Sequence, residues 1–270
     1  MIDWANEDFR GWKVTVAGLG TFGGQLAAAR FFAARGAVVT VTDKKPAASL
    51  EASLSRVADL PLKFVLGAHD MQDFTGADLI VASPAIPENS PYLQAAAAAG
   101  VPITHEMDIF FRLCRAPIVA VTGSNGKSTT TALLAHILEK TFSAAGQRKV
   151  HLGGNIGRSL LLDVDKISRD DIVVLELSSF QLEDLGDVRM SPHGAVVTNL
   201  SPNHLDRHIT FENYAAAKRN ITLYQRQGDF LVLNADDENL CGWEDTRAEV
   251  VFFGRYGGKM RDGVYVSGRS

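Results

Sequence analysis

Two glycine-rich turns, each set between a run that reads as a buried strand and a run that reads as a helix, constrain this 270-residue chain more than any other feature. The first, Gly18-Leu19-Gly20-Thr21-Phe22-Gly23, follows Val14-Thr15-Val16-Ala17 and opens a helical stretch over 24–35 that Gly36 ends. An apolar run over 38–42 then closes at Asp43. Strand, helix and strand with short punctuation make a βαβ unit, and hence a parallel sheet. The second turn, Thr122-Gly123-Ser124-Asn125-Gly126-Lys127-Ser128-Thr129, follows Ile118-Val119-Ala120-Val121. It leads into a stretch whose apolar Leu133, Leu134, Ile137 and Leu138 have helical spacing. The expected fold class is α/β in two successive domains. Residues 1–115 form a Rossmann-like parallel sheet, and residues 116–270 a P-loop-type domain beginning where Pro117 breaks any preceding helix. Further strands are expected at 63–66, 78–82, 172–177, 195–200, 230–233 and 250–253, with an alanine-rich helix over 92–99 stopped by Gly100.

Composition removes several classes of function. Hydrophobic residues at 46%, charged residues at 21% and a mean hydropathy of +0.01 describe an ordinary soluble globular chain, not a disordered, collagenous or membrane-embedded one. A net charge of −4 provides no global field toward nucleic acid or anionic lipid. Cys114 and Cys241 allow at most one bridge, so no disulfide framework is expected. The acidic start, without an apolar stretch, predicts no signal peptide, and no apolar run approaches the roughly 20 residues of a membrane helix. A cytoplasmic setting is expected.

The second turn carries the stronger chemical signal. Its glycines let successive backbone N–H groups curl inward toward phosphate oxygens, the helix N-terminus adds partial positive charge, and Lys127 adds a full one. The Ser128 hydroxyl is placed to reach magnesium. The strict G-x-x-x-x-G-K-[ST] pattern needs glycine where Val121 stands, so this is a shorter variant that uses Gly123. The first turn fits G-x-G-x-x-G, with Asp43 twenty residues beyond Gly23 to bind a ribose hydroxyl. On those residues alone, a dinucleotide, another nucleotide or no ligand all remain open. Glu176 ends an expected buried strand, at the sheet edge where open α/β folds bind ligands, and is a suitable hard ligand for magnesium. By type alone, His204 reads as a hydrogen-bonded loop residue, Lys218 as a solvated helix lysine and Asn155 as a turn residue.

Five segments in order resemble the Mur ligase family: 122–129 (TGSNGKST), 153–157 (GGNIG), 176–182 (ELSSFQL), 203–208 (NHLDRH) and 214–218 (YAAAK). Residues 83–86 (SPAI) and the first glycine turn agree with it as well. The ELSSFQL segment favours the D-glutamate-adding branch. The resemblance implies ATP-dependent amide-bond formation in peptidoglycan precursor synthesis, through an acyl phosphate, with UDP-N-acetylmuramoyl-L-alanine and D-glutamate as substrates. It places Gly123, Ser124, Asn125, Gly126, Lys127, Ser128 and Thr129 on ATP. It assigns Ser128, Glu176, His204 and Lys218 to two magnesium ions, with Lys218 carbamylated. Lys127, Asn155, His204 and Lys218 are its catalytic candidates. Thr21, Asp43, Lys44, Lys45, Ser83, Ala85, Asn155, Ser178, Gln181 and His204 are those for substrate.

The match has departures. Ala85 stands where relatives usually carry glycine, and Phe22 where the residue is often smaller and polar. No segment is seen for the family's third domain, which binds the incoming amino acid, so the chain alone is expected to turn over little or not at all. A monomer is expected, with no nucleic-acid partner. The competing readings are a Mur-type ligase with another acceptor, a non-catalytic nucleotide-binding relative, and a nicotinamide-dependent oxidoreductase built on the first turn. That last reading leaves the second turn, Glu176 and His204 unexplained.

Overall fold

The computed structural model describes residues 2–20, 23–87, 89–143, 148–255 and 263–265. The chain divides into two compact units, Met1–Cys114 with Arg158–Lys166, and Arg115–Gly157 with Ile167–Ser270.

The first unit runs β1 (Lys13–Ala17), α1 (Gly24–Ala34), β2 (Val38–Asp43), α2 (Glu51–Leu54), β3 (Lys63–Leu66), α3 (Met71–Thr75), β4 (Leu79–Ala82), α4 (Pro91–Ala98), β5 (Ile103–Thr104) and α5 (Glu106–Leu113). Its strands pair in parallel in the order β3-β2-β1-β4-β5. Helices on a parallel sheet bury both of its faces, which is why β1 and β4 are near-continuous apolar runs. Phe31 and Phe32 of α1 are 2% and 0% exposed, and each such side chain contributes roughly 1.5–3 kcal/mol of burial. The strand order reverses between β1 and β4, so the first glycine turn and the segment after Ala82 both lie at a switch point.

The segment 158–166 was expected within the second domain, but it packs with the first unit. Its 3-10 turn Leu161–Lys166 lies on α1 and α5, with Leu161 and Val164 buried. Ser159 Oγ donates to Glu106 Oε1 at 2.5 Å, and Arg35 of the α1 C-cap pairs with Asp165 at 2.6 Å. Local periodicity carries no sign of this excursion, because it depends on contacts distant in sequence.

The second unit runs β6 (Ile118–Thr122), α6 (Lys127–Ser143), β7 (Val150–Gly154), β8 (Ile172–Glu176), α7 (Ser179–Asp187), β9 (Gly194–Val197), α8 (Leu205–His208), α9 (Phe211–Leu223), β10 (Phe230–Asn234), β11 (Glu249–Gly254) and β12 (Gly263–Tyr265). Among the described residues these strands form one parallel sheet in the order β12-β11-β10-β9-β6-β8-β7. β6 is flanked by β9 and β8, so the loops leaving all three strands meet at one carboxyl edge.

The sheet covers only part of the apolar surface of α6. Ala135 packs with Ile172 and Val174, joined by Leu134, Leu138 and Phe142, whereas Leu133 and Ile137 are 57% and 51% exposed. Thr131 is fully buried, so the inward stripe runs through 131, 134, 135, 138 and 142. Four apolar residues at helical spacing left two adjacent faces open, and the sheet took only one.

Glu106 provides a measurable consequence of the first unit's packing. Burial, aided by nearby Asp108 and opposed by the Ser159 hydrogen bond, raises its carboxyl from 4.5 to about 7. The folded state therefore holds a proton that the unfolded chain releases between those values, and stability falls as pH rises through this window. Glu106→Gln removes the penalty while keeping an amide oxygen for Ser159. Urea titrations should find the variant more stable than the parent at pH 8, with the advantage vanishing below pH 4.5. An equal advantage at both pH values would refute a proton-linked origin.

Candidate functional site

The second glycine turn is held by neighbours that are polar and mostly buried. Ser124 N–H donates to Asn199 O at 2.8 Å, and Ser124 Oγ meets Ser201 O and Tyr214 Oη, each at 2.9 Å. Asn125 exchanges bonds with the Asn199 side chain at 3.0 and 2.9 Å, and Thr198 Oγ1 donates to Asn125 O at 2.6 Å. Gly123 passes so close to Thr198 that a Cβ there would stand 2.0 Å from its hydroxyl. Gly126 faces open space with φ +80° and leads directly into α6. Thr129 lies exposed in the first turn of α6.

Glu176 is the centre of this edge. It is 2% exposed, and its Oε2 accepts from Ser128 Oγ at 2.6 Å while Oε1 accepts from Asn155 Nδ2 at 2.9 Å. Asn155 N–H also donates to the Glu176 carbonyl at 2.8 Å. Lys127 Nζ curls back onto Gly123 O and Ser124 O at 2.9 and 3.0 Å. Burial lowers its pKa, with Glu176 pulling the other way.

Lys218 is 2% exposed; it is not the solvated lysine its residue type suggested. Its Nζ donates to Thr122 Oγ1 at 3.2 Å and lies 4.9 Å from the centre of the Tyr214 ring. Burial, reinforced by Lys127 and opposed by Glu176, brings it from 10.5 down to about 7. His204 is exposed, in left-handed backbone (φ 51°) at the N-cap of α8, its ring 5.3 Å from Phe180 and 6.5 Å from Tyr214. Among the described residues, no three His, Cys, Asp or Glu side chains cluster to hold a metal ion. Ser178 and Gln181 are engaged with each other: Ser178 is the N-cap of α7, and Gln181 Oε1 accepts from its N–H at 3.0 Å. That reciprocal arrangement is a capping box, and it is written in the sequence as Ser-x-x-Gln.

Thr122, Thr198, Asn199 and Tyr214 brace the turn and were not among the sequence candidates. Asn234 and Phe253 were missed too. With Asn125, Gly126, Thr130, Val196, Thr198 and Asn199 they line a cavity of about 530 Å³ beside the turn. A second hollow of about 650 Å³ shares Asn199, Asn234 and Phe253 and adds Asp236, Asp237, Glu238 and Arg255. The strand ends of β9, β10 and β11 bring these residues together, and no local motif reports that.

In the first unit, Asp43 is buried and clamps the backbone. Oδ2 accepts from Gly20 N–H at 3.2 Å and Oδ1 from Lys45 N–H at 2.9 Å. Ser83 N–H donates to Ala17 O at 2.9 Å, and Ala85 N–H to Ser83 Oγ at 3.3 Å, which brings the post-β4 turn beside the end of β1. Lys44 and Lys45 are exposed, with Lys44 Nζ 5.8 Å from the Tyr92 ring centre. Thr21 lies outside the described residues.

The Mur ligase middle domain pattern matches residues 121–267, and the N-terminal domain pattern of MurD-like Mur ligases matches residues 12–105. A UDP-N-acetylmuramoylalanine–D-glutamate ligase of Roseiflexus sp. is 49% identical over 226 residues, covering 84% of this chain and 47% of the relative. One from Geobacter metallireducens is 41% identical, covering 96% and 55%. The chain thus spans about half the length of the curated relatives it matches. Among solved structures, UDP-N-acetylmuramate-alanine ligase from Thermotoga maritima aligns with a TM-score of 0.53 at 26% identity, covering 90% of this chain and 53% of that one. A Neisseria meningitides UDP-N-acetylmuramate:L-alanyl-gamma-D-glutamyl-meso-diaminopimelate ligase aligns at 0.62 with 18% identity, covering 90% and 78%, which is likeness of fold.

Gly154 sets the approach that brings Asn155 to Glu176. Its φ is +92°, and a Cβ there would stand 2.2 Å from the Glu176 carbonyl oxygen. Gly154→Ala combines left-handed strain with overpacking, an expected loss of about 2–5 kcal/mol. Urea denaturation measures it, and a loss below about 1 kcal/mol would mean the strands separate freely at this point.

Proposed function

Because this chain belongs to the Mur ligase family, we propose that it carries the nucleotide and UDP-substrate sites of an ATP-dependent ligase joining D-glutamate to UDP-N-acetylmuramoyl-L-alanine. One observation carries the reading: Ser128 and Asn155 converge on the buried Glu176 carboxylate at the mouth of the Lys127 turn. Identity of 39–49% to D-glutamate ligases over most of the chain supports the choice of acceptor. The setting proposed is the cytoplasm; no helix among the described residues is long and apolar enough to cross a membrane.

The donors fit a hard cation. A hydroxyl and a carboxylate 2.6 Å apart are oxygen ligands of the kind magnesium prefers, and the second Glu176 oxygen is already oriented by Asn155. ATP, when bound, supplies the phosphoryl group that activates the substrate carboxylate as an acyl phosphate, with magnesium screening the charge. The N–H groups at the start of α6, from Gly126 to Ser128, and the Lys127 ammonium bind and orient the phosphates, while those of Ser124 and Asn125 are spent on Asn199. The cavity beside Asn125, Asn199 and Asn234 is large enough for a nucleoside. Asp43, Lys44, Lys45, Ser83 and Ala85 hold the UDP-linked substrate at the first unit's switch point.

Lys218 suits a carbamate. Only a neutral amine attacks carbon dioxide; the new N–C bond forms as a proton leaves, and an amine brought to about 7 is largely neutral slightly above that pH. The resulting carboxylate-like group, with His204, is proposed to hold a second magnesium ion.

Two measurements test these roles. Calorimetry should show magnesium-dependent ATP binding, weakened at least tenfold by Glu176→Gln and less by Ser128→Ala; absence of such binding in the parent chain refutes the reading. Carbon-13 NMR with labelled bicarbonate should reveal a carbamate signal that grows from pH 6 to pH 8 and is missing in Lys218→Met. A signal that survives the substitution belongs to another amine.

A further inference from the structure

His208 is a buried imidazole with no part in the chemistry above, yet its surroundings are fully specified. The residue is 4% exposed. Nδ1 lies 3.2 Å from Glu183 Oε1, and Nε2 lies 2.9 Å from Ser179 Oγ. A carboxylate only accepts, so Nδ1 carries the proton, and Nε2 is left with a lone pair that takes the Ser179 hydroxyl hydrogen. Burial and the nearby charges of Arg207, His204 and Lys218 keep the ring below the usual histidine range, with Asp206 opposing. The expected state is one neutral tautomer.

This ring joins three helices. Ser179, Phe180 and Glu183 belong to α7, His208 ends α8, and Tyr214 of α9 meets the imidazole edge-on at 5.4 Å. Phe180 lies flat on His208, with centroids 5.2 Å apart and planes within 7°. The same phenyl ring is 5.3 Å from the His204 ring, and the Arg207 guanidinium lies 5.1 Å from it. Phe180 is thus the wall against which His204 rests, and His208 is what Phe180 lies on.

The backbone leaving His208 is strained. Thr210 N–H donates to His208 O at 2.8 Å around Ile209, whose φ of +70° is costly for a β-branched residue and whose side chain is 79% exposed. Bonds from α7 and α9 hold this four-residue helix: Asn213 Nδ2 donates to His208 O at 2.9 Å, and the His208 ring meets Glu183 and Ser179.

We infer that His208 is a positioning residue for His204: anchored by Glu183 on one nitrogen and Ser179 on the other, it fixes Phe180 and the start of α8, and so the direction in which the His204 imidazole is presented. The inference rests on the proposed role of His204 as a ligand of the second magnesium ion. Partners of metal-ligating histidines typically contribute 10–100-fold to affinity or activity, and an indirect anchor belongs at the lower end of that range.

Nitrogen-15 long-range NMR on the full chain reads the tautomer directly, and the same spectra follow the His204 ring. The parent should show His208 protonated at Nδ1 only. His208→Ala should shift the His204 resonances and weaken magnesium–ATP binding about tenfold. His208→Asn, which retains a donor for Glu183, and His208→Gln, which retains an acceptor for Ser179, should each recover part of the loss. Ser179→Ala, a small change, provides the test if the alanine variant fails to fold, and should shift His204 in the same sense. Unmoved His204 resonances and unchanged affinity in folded His208→Asn and Ser179→Ala would overturn the inference. A chain that binds no magnesium–ATP, but whose His204 ring still responds to these substitutions, would support the anchor while refuting the functional reading.

Discussion

A single buried carboxylate at the end of β8 organises the second unit's carboxyl edge. Glu176 binds the first turn of α6 through Ser128, and the loop after β7 through both the side chain and the backbone of Asn155. A carboxyl group so deeply buried is costly unless its oxygens are satisfied and positive charge is near. Here two side-chain donors and the Lys127 ammonium meet that requirement. The demand also runs outward. For Asn155 to reach the strand end, β7 must approach β8 within the space of a missing Cβ at Gly154. The glycine turn, the GGNIG loop and the buried acid are therefore one construction in three sequence segments.

Much of this was legible from local pattern. β-branched runs marked β1, β2 and β6, with glycine turns after β1 and β6, and Gly36 and Gly100 marked the ends of α1 and α4, because these signals operate within a few residues. What escaped was set by distant packing. The segment 158–166 joins the first unit through Ser159, Leu161 and Asp165, which local sequence cannot distinguish from an ordinary loop. The inward stripe of α6 could not be read locally because Leu133 and Ile137 are as apolar as their neighbours; only the position of Ile172 and Val174 decides which face is covered. Asn234 and Phe253 reach the cavity wall from different strands, so no motif spacing could pair them with Asn125.

Polar residues within the family motifs also divide by whether their atoms are already engaged. Ser178 and Gln181 satisfy each other at the start of α7, and Ser124 is fully occupied by Ser201 and Tyr214. Such residues shape the site. Asp43 has the same character in the first unit, since its carboxylate accepts from the N–H groups of Gly20 and Lys45. It fixes the turn's shape. Lys127 differs from these. Its ammonium rests on two carbonyls of its own loop, contacts that a flexible side chain exchanges readily for a stronger anion. Motif membership thus identifies a site, while hydrogen-bond accounting separates its frame from its reactive groups.

The same accounting bears on Lys218. A buried amine beside a hydroxyl and an aromatic ring has little to stabilise its charge, and Lys127 makes that charge less welcome still. Losing a proton relieves this. Becoming a carbamate, as proposed, goes further and places a negative charge where Lys127 favours it. Glu176 works in the opposite direction, because two carboxylate-like groups near one another repel in a low-dielectric setting. Cations between them would remove that repulsion, and the carbamate would in turn strengthen their binding. On this reading modification and metal loading reinforce each other, and neither is expected to be complete without the other.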